Sequence, residues 1–254
     1  MKIFVFRRGL LTVLACAAIA LGMVWLVSHP NAVGAAATER QLPIYCVQKE
    51  EKVVALTFDA AWGNEDTQQL IDILGEYDVP ATFFVVGDWV EKYPESVKAL
   101  ADAGHSIQNH SDTHPYLTQR SADQIIAELE SCNDKIEDIT GVRPTLIRPP
   151  YGDYNDTVVT TIRSMGMEPI QWDVDSLDWK ELSAPEITQR VLDGVGPGSI
   201  VLFHNAALHT PEALPGIIAS LKEEGYTFTT VADLICTGEY TIDHTGRQCP
   251  VKAG

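Results

Sequence analysis

The sequence is poor in cations and has no cysteine-pair motif. Of its 254 residues, 18 are Lys or Arg against 35 Asp or Glu, a formal net charge of -17. A surface so short of positive charge does not condense onto phosphate backbones, which excludes nucleic acid as a partner. It is also repelled by anionic lipid. Five cysteines are present, and none falls in a CxxC spacing, so neither a zinc knuckle nor a thioredoxin-type site is encoded. Cys46, Cys132, Cys236 and Cys249 lie beyond the first 37 residues. In an oxidising compartment Cys236 and Cys249 could close a short loop, but spacing leaves the connectivity open. Internal repeats and low-complexity tracts are lacking as well, and long apolar runs are lacking with one exception.

That exception is Leu10–Val27, LLTVLACAAIALGMVWLV, preceded by Lys2, Arg7 and Arg8 and followed by a stretch of small residues. A positive flank, an apolar run and a small-residue exit predict a secretory signal or a signal anchor over residues 1–37. The run of 18 residues is long for a cleaved signal and just long enough to span a bilayer. Ala35 and Ala37 supply an A-x-A cleavage pattern, so secreted and membrane-anchored forms both stay open. Membrane association is expected only through this segment. Without its three cations the rest of the chain carries 15 basic against 35 acidic residues, a balance of -20.

Residues 38–51 read as a linker, 52–237 as one domain and 238–254 as an irregular tail without periodicity. Inside the domain, short apolar runs alternate with helical patterns. Strands are expected at Val53–Phe58, Thr82–Val86, Ser106–Gln108, Thr145–Ile147, Pro169–Trp172, Ile200–Phe203 and Tyr226–Thr229. Several are apolar at consecutive positions, the mark of strands covered on both faces in a parallel sheet. Helical stripes recur between them, such as Leu70, Ile71, Leu74 and Tyr77, or Ile125, Leu129, Cys132 and Ile136. Ser121 with Gln124 and Ser183 with Glu186 read as capping boxes, and Thr210-Pro211 as an N-cap and first-turn pair. About seven β/α units predict an α/β domain, a wound parallel sheet or an incomplete (β/α)7-8 barrel.

In such folds chemistry gathers where strands end in loops. The first strand is followed by Asp59, the third by Asn109-His110-Ser111-Asp112-Thr113-His114, the fourth by Arg148-Pro149-Pro150-Tyr151-Gly152. The fifth is followed by Asp173-Val174-Asp175-Ser176-Leu177-Asp178-Trp179 and the sixth by His204-Asn205. Five strand ends therefore deliver ionisable groups to one rim. His110 and His114 are four apart, so on one helical turn they would face the same way and could share a metal. Blander readings exist for single residues. Asp59 could cap a helix, and Arg148 with Asp175 could be a structural ion pair.

Taken in order, TFDAAWG, HSDTH, RPPYGDY, DVDSLDW and IVLFHN resemble the polysaccharide deacetylase family with its NodB-type catalytic domain (carbohydrate esterase family 4), over about Lys52 to Leu234. The resemblance implies a distorted barrel and metal-dependent removal of acetyl groups from N-acetylated glycans such as chitin oligomers or peptidoglycan. It implies Asp59 as general base and Arg148 as the residue orienting it. His110 and His114 would be ligands to a divalent metal, zinc or cobalt. The Tyr151 N–H would hold the oxyanion, Asp175 would tune His204 as general acid, and Trp179 and Leu202 would line the acetyl pocket. The family's first motif usually reads TFDDG, its second Asp being a metal ligand. Here that place is Ala60, which has no donor. The outcomes left open are a hydrolase with a weaker metal site completed by water or a nearby side chain such as Asp59, a glycan-binding protein without turnover, and a variant working with a different metal or acyl substrate.

Overall fold

In the computed structural model, the described residues are 40–251 together with Val13, Leu14, Cys16 and Ile19, which are helical. The rest of the expected signal or anchor lies outside the described residues. Among the described residues no helix is long and apolar enough to cross a membrane.

Eleven strands share one sheet: β1 (Cys46–Val47), β2 (Val53–Ala60), β3 (Thr82–Val85), β4 (Ser106–Asn109), β5 (Leu146–Ile147), β6 (Glu168–Pro169), β7 (Val174–Asp175), β8 (Ser199–His204), β9 (Thr227–Phe228), β10 (Tyr240–Ile242) and β11 (Arg247–Pro250). The helices are α1 (Thr67–Glu76), α2 (Gly87–Lys92), α3 (Pro94–Asp102), α4 (Ala122–Thr140), α5 (Asp156–Ser164), α6 (Ala184–Gly194), α7 (Thr210–Glu223) and α8 (Val231–Leu234). From β8 the sheet runs through β2, β3, β4 and β5 to β6, every pair parallel. It curls as it goes, into the incomplete (β/α) barrel expected of the α/β pattern.

The consecutive apolar residues of β2 explain how the barrel is layered. Val54, Leu56 and Phe58 join the main core with Leu70 and Leu74 of α1 and Ile217 and Ile218 of α7. Ala55, one residue out of phase, joins a second core with Phe84, Ile170 and Ile200. Alternation puts Asp59 on the Ala55 face of the strand, opposite Phe58. Each fully buried Leu, Ile or Phe contributes roughly 1.5–3 kcal/mol of transfer free energy, so β2 is apolar on both sides because both sides are covered. The expected capping boxes are present at Ser121 and Ser183. Thr210 departs from expectation. It is the first residue of α7, the cap is His209, and the Thr210 hydroxyl is engaged elsewhere.

Both ends of the domain differ from their reading as linker and tail. Ile44 bridges Ile170 just after β6, and β1 meets β8 at Cys46–Ser199, so residues 44–47 stitch β6 to β8. The far end is no irregular tail either: β10 and β11 form an antiparallel hairpin, and β11 runs parallel to β1. Buried Gln248 fastens it, accepting from the Cys236 N–H and donating to the Cys236 carbonyl. These strands are two to four residues long, too short for any periodicity argument to find. Cys46, Cys132, Cys236 and Cys249 are free thiols, so the Cys236–Cys249 bridge considered above is not formed.

The β1 stitch depends on Gly198. Its φ is +83°, and a Cβ there would sit 1.9 Å from the Val47 carbonyl oxygen. Gly198→Ala is expected to cost at least about 2 kcal/mol through strain and backbone clash. For a domain of this size that lowers Tm by roughly 4–8 °C. Calorimetry checks it, and an unchanged Tm would mean that β1 is not fixed against β8.

Candidate active site

Parallel strands point their C-terminal ends the same way, so residues at those ends converge. Asp59 and His204 are direct register partners on β2 and β8. His110 follows β4, Arg148 follows β5, and Asp175 ends β7. Eight of the nine residues expected from sequence line one cavity of about 470 Å³: Asp59, His110, His114, Tyr151, Asp175, Trp179, Leu202 and His204. The ninth, Arg148, is fully buried beneath it.

Arg148 holds Asp59. Its Nη1 donates to Asp59 Oδ1 at 2.7 Å and its Nη2 to the Gln171 carbonyl at 3.1 Å. The guanidinium lies over the Phe84 ring, 4.2 Å from the centroid, which gives the buried cation an apolar floor. Burial pushes the Asp59 pKa up, but the positive charge of the Arg148 guanidinium beside it outweighs that and holds the carboxyl below its usual range. The ion pair foreseen as a bland alternative for Arg148 is therefore with Asp59, and Asp59 caps no helix. Asp66 takes the cap position of α1.

The two histidines do converge, though not by a helical turn. They sit in an irregular loop, with Ser111 at φ +65° and His114 at φ +58°. Their Nε2 atoms are 3.2 Å apart. His110 Nδ1 lies 2.7 Å from the Arg148 carbonyl, which can only accept, so that nitrogen carries the proton and Nε2 offers its lone pair. Burial lowers the pKa of both rings, that of His114 to about 4, and keeps them neutral. Zinc–nitrogen bonds of 2.0–2.1 Å at a tetrahedral angle separate two ligands by roughly 3.3–3.4 Å, so the pair fits a divalent cation such as zinc or cobalt. Asp59 Oδ2 is 3.5 Å from His110 Nε2. Among the described residues no group of three or more His, Cys, Asp or Glu is arranged to hold a metal. Ala60 is buried in the main core, and the cavity wall takes Ala61 in its place.

The partner of His204 corrects the sequence reading. Asp175 makes no hydrogen bond to it; its Oδ1 accepts from the Leu177 N–H instead, at 2.9 Å. Asp178 is the partner, with Oδ1 2.7 Å from His204 Nδ1. Its Oδ2 accepts from the His204 N–H at 2.8 Å and from the Thr210 hydroxyl at 2.7 Å. Four donors thus surround a carboxylate that is 1% exposed, the fourth being the Trp179 N–H. Burial pushes the His204 pKa down, but the hydrogen bond and charge of Asp178 win, and the net shift is upward. The Leu177 turn sets this up: its left-handed φ of +54° folds Asp178 back under β8. Asp178 stands three residues from Asp175 in an acidic segment, so spacing did not separate them.

Sequence reasoning also passed over Trp62 and Trp172, which line the cavity. Asn205 went unassigned too: its side chain accepts from the Ala61 N–H and donates to the Trp62 and Gly63 carbonyls, fixing the loop after β2 to the loop after β8. Six residues other than glycine have positive φ in the rim loops: Ser111, His114, Tyr151, Leu177, Glu181 and Ala206. Strain of this kind persists only where the surroundings impose it. The arrangement places an ionised carboxylate and a proton-rich imidazole on adjacent strands, with two neutral imidazoles lining the same cavity.

Comparison with known proteins identifies the family and the fold. Residues 47–170 match the family model for polysaccharide deacetylase. The chain is 39% identical over 188 residues to PdaC of Bacillus subtilis, a peptidoglycan-N-acetylmuramic acid deacetylase; the match covers 74% of this chain and 40% of PdaC's length. It superposes on the structure of PdaA, a family 4 carbohydrate esterase of Bacillus subtilis, with a TM-score of 0.72 and 35% identity, covering 76% of this chain and 84% of that one. It also superposes on BA3943 of Bacillus anthracis, a pseudoenzyme of that family, with a TM-score of 0.74 and 38% identity over 76% of this chain and 69% of that one. A mutant of BA3943 has restored activity. The chain belongs to the polysaccharide deacetylase family.

Proposed function

We propose that this chain is an extracytoplasmic hydrolase that removes N-acetyl groups from a cell-wall glycan, with peptidoglycan as the substrate class. One observation carries the reading: a single cavity is lined by Asp59 and His204, register partners on adjacent strands, which buried Arg148 and buried Asp178 tune in opposite senses. Environments that push two titratable groups in opposite senses are what acid–base chemistry at neutral pH requires. The names of PdaC and PdaA supply the substrate class, and the basic-apolar leader supports a secreted or membrane-anchored location.

Amide hydrolysis needs a nucleophile from water, a stabilised oxyanion and a proton for the amine. A divalent cation on His110 and His114 would supply Lewis acidity and lower the pKa of water at the site. Asp59, kept ionised and oriented by Arg148, takes the proton of the attacking water. The Tyr151 N–H donates to the developing oxyanion. His204, its Nδ1 side fixed by Asp178, delivers a proton from Nε2 to the leaving nitrogen. Trp179 and Leu202 enclose the acetyl methyl. Asp175 lines the cavity and adds negative charge near His204 without holding it.

A second reading has a specific observation behind it. Ala60 supplies no donor, and BA3943, a pseudoenzyme, is among the similar structures. On that reading the chain binds glycan without turnover. The test is acetate release from N-acetylated glycan oligomers with zinc or cobalt added, for the wild type and His204→Ala. Release by the wild type, lowered about 10²–10⁴-fold in the variant, is expected of a lost general acid. Intact glycan binding with no acetate under any divalent metal would overturn the hydrolase in favour of the binder.

A further inference from the structure

Asp66 stands at the N-cap position of α1, where a carboxylate ordinarily accepts from the first free N–H groups of its helix. Here its side chain makes no capping bond. It crosses instead to the loop after β8, where Oδ2 accepts from the Ala206 N–H at 2.8 Å. Asp66 is 9% exposed, and its Oδ1 is buried with no hydrogen bond among the described residues. A buried oxygen left without a donor costs stability. Burial pushes the Asp66 pKa up, and the charges of Glu65 and Asp178 push the same way. Serine would cap α1 without that cost, so the helix does not explain the carboxyl.

The far end of the bond does. Ala206 lies two residues after His204 and has φ +54°, a left-handed backbone that an alanine keeps only when its surroundings impose it. His204, Asn205 and Ala206 line one small cavity of about 190 Å³ together with Asp178, so the turn adjoins the pair it carries. Asn205 ties the same two loops in the opposite direction, through the Ala61 N–H and the Gly63 carbonyl. Two side chains, one from each loop, thus clasp the segment that emerges from β8. His204 meets Asp178 through its own N–H as well as through its ring. A shift of the turn would therefore open both bonds together.

We propose that Asp66 is a positioning residue for His204: by holding the Ala206 N–H it fixes the turn after β8, and with it the angle at which His204 meets Asp178 and the leaving nitrogen. This rests on the hydrolase reading and deepens it. Asp66 touches no reacting atom. Its loss should appear in kcat and not in KM, because a general acid set off its line weakens the transition state and leaves ground-state contacts alone.

The test compares wild type, Asp66→Ser and Asp66→Asn. Serine stops one bond short of the Ala206 N–H but remains a good N-cap for α1. Asparagine keeps an oxygen within reach of that N–H. In acetate release from N-acetylated glycan oligomers, kcat should fall about 10–100-fold in Asp66→Ser, the cost of a displacement of up to about 1 Å. KM should stay within about twofold. Asp66→Asn should keep most of kcat, and similar Tm values, measured alongside, are expected. A lower Tm with unchanged kcat would reduce Asp66 to a structural contact and overturn the proposal. Equal losses of kcat in both variants would trace the effect to charge and overturn it too. Should the wild type release no acetate with any divalent metal, the hydrolase reading fails separately. The His204 pKa, followed by proton NMR and assigned by its absence in His204→Ala, then decides. A value lowered in Asp66→Ser and kept in Asp66→Asn supports the proposal, because a displaced Asp178 no longer offsets burial. Any other pattern, including an equal fall in both variants, overturns it.

Discussion

Asp178→Asn is expected to lower acetate release by about 10²–10⁴-fold, the range of a lost or misoriented general acid, while Asp175→Asn has a far smaller effect. The buried Asp178 carboxylate fixes His204 at both its Nδ1 and its backbone N–H. An asparagine can keep one of those bonds but removes the charge. Burial then acts on the His204 pKa without its main opponent, and the pKa falls. His204 has to be protonated to act as an acid, so the alkaline limb of the pH–rate profile moves to lower pH. The linkage to stability has the same sign. A histidine whose folded pKa is raised contributes stability that is fully present below its unfolded value, about 6.5, and lost as pH rises through the folded one. Asp178→Asn should therefore erase stability on the acid side of that window. Rates and Tm measured across pH check both limbs. A larger loss from Asp175→Asn than from Asp178→Asn would reverse the assignment.

The second large effect concerns stability. Arg148→Leu is expected to cost about 3–5 kcal/mol, because it leaves the Asp59 carboxylate buried without its counter-charge. At about 2–4 °C per kcal/mol this lowers Tm by roughly 6–20 °C. Arg148→Lys should be milder but still damaging, since one ammonium cannot reach both Asp59 and the Gln171 carbonyl or lie flat on Phe84. A double-mutant cycle separates causes. Adding Asp59→Asn to Arg148→Leu removes the stranded charge, so the double variant should be more stable than Arg148→Leu alone. If it is not, the cost comes from lost packing around the guanidinium and not from the unpaired carboxylate. Both variants should lack acetate release on the proposed mechanism, since Asp59 is the base.

Legibility differed from residue to residue for physical reasons. Asp59 and His204 could be seen in the sequence because each ends an apolar run, and a run apolar at consecutive positions has to be a buried strand. The helices could be seen because their apolar stripes and capping boxes are local. His110 and His114 were recognised as a pair through a helical turn that does not exist; the loop reaches the same convergence with two left-handed residues. Thr210 looked like a cap because Ser and Thr before Pro usually are, yet a buried carboxylate 32 positions away in the chain claims its hydroxyl. Asp175 and Asp178 could not be told apart because the Leu177 turn, not their spacing, decides which one folds under β8.

By itself, the sequence determined the α/β class, the order of the strands that carry the site and the donors available at each strand end. These follow from burial patterns and side-chain chemistry, which are properties of short segments. Only the tertiary structure decided which acid holds which histidine, that Ile44 and the 240–250 hairpin complete the sheet, and that Asp66 holds the Ala206 N–H. Each of those is a pairing between segments far apart in the chain, and no local period or propensity encodes a partner. The absence of a donor at Ala60 could be read directly, but its surroundings could not: the fold sets that alanine in the apolar layer and leaves the cavity to two histidines and Asp59.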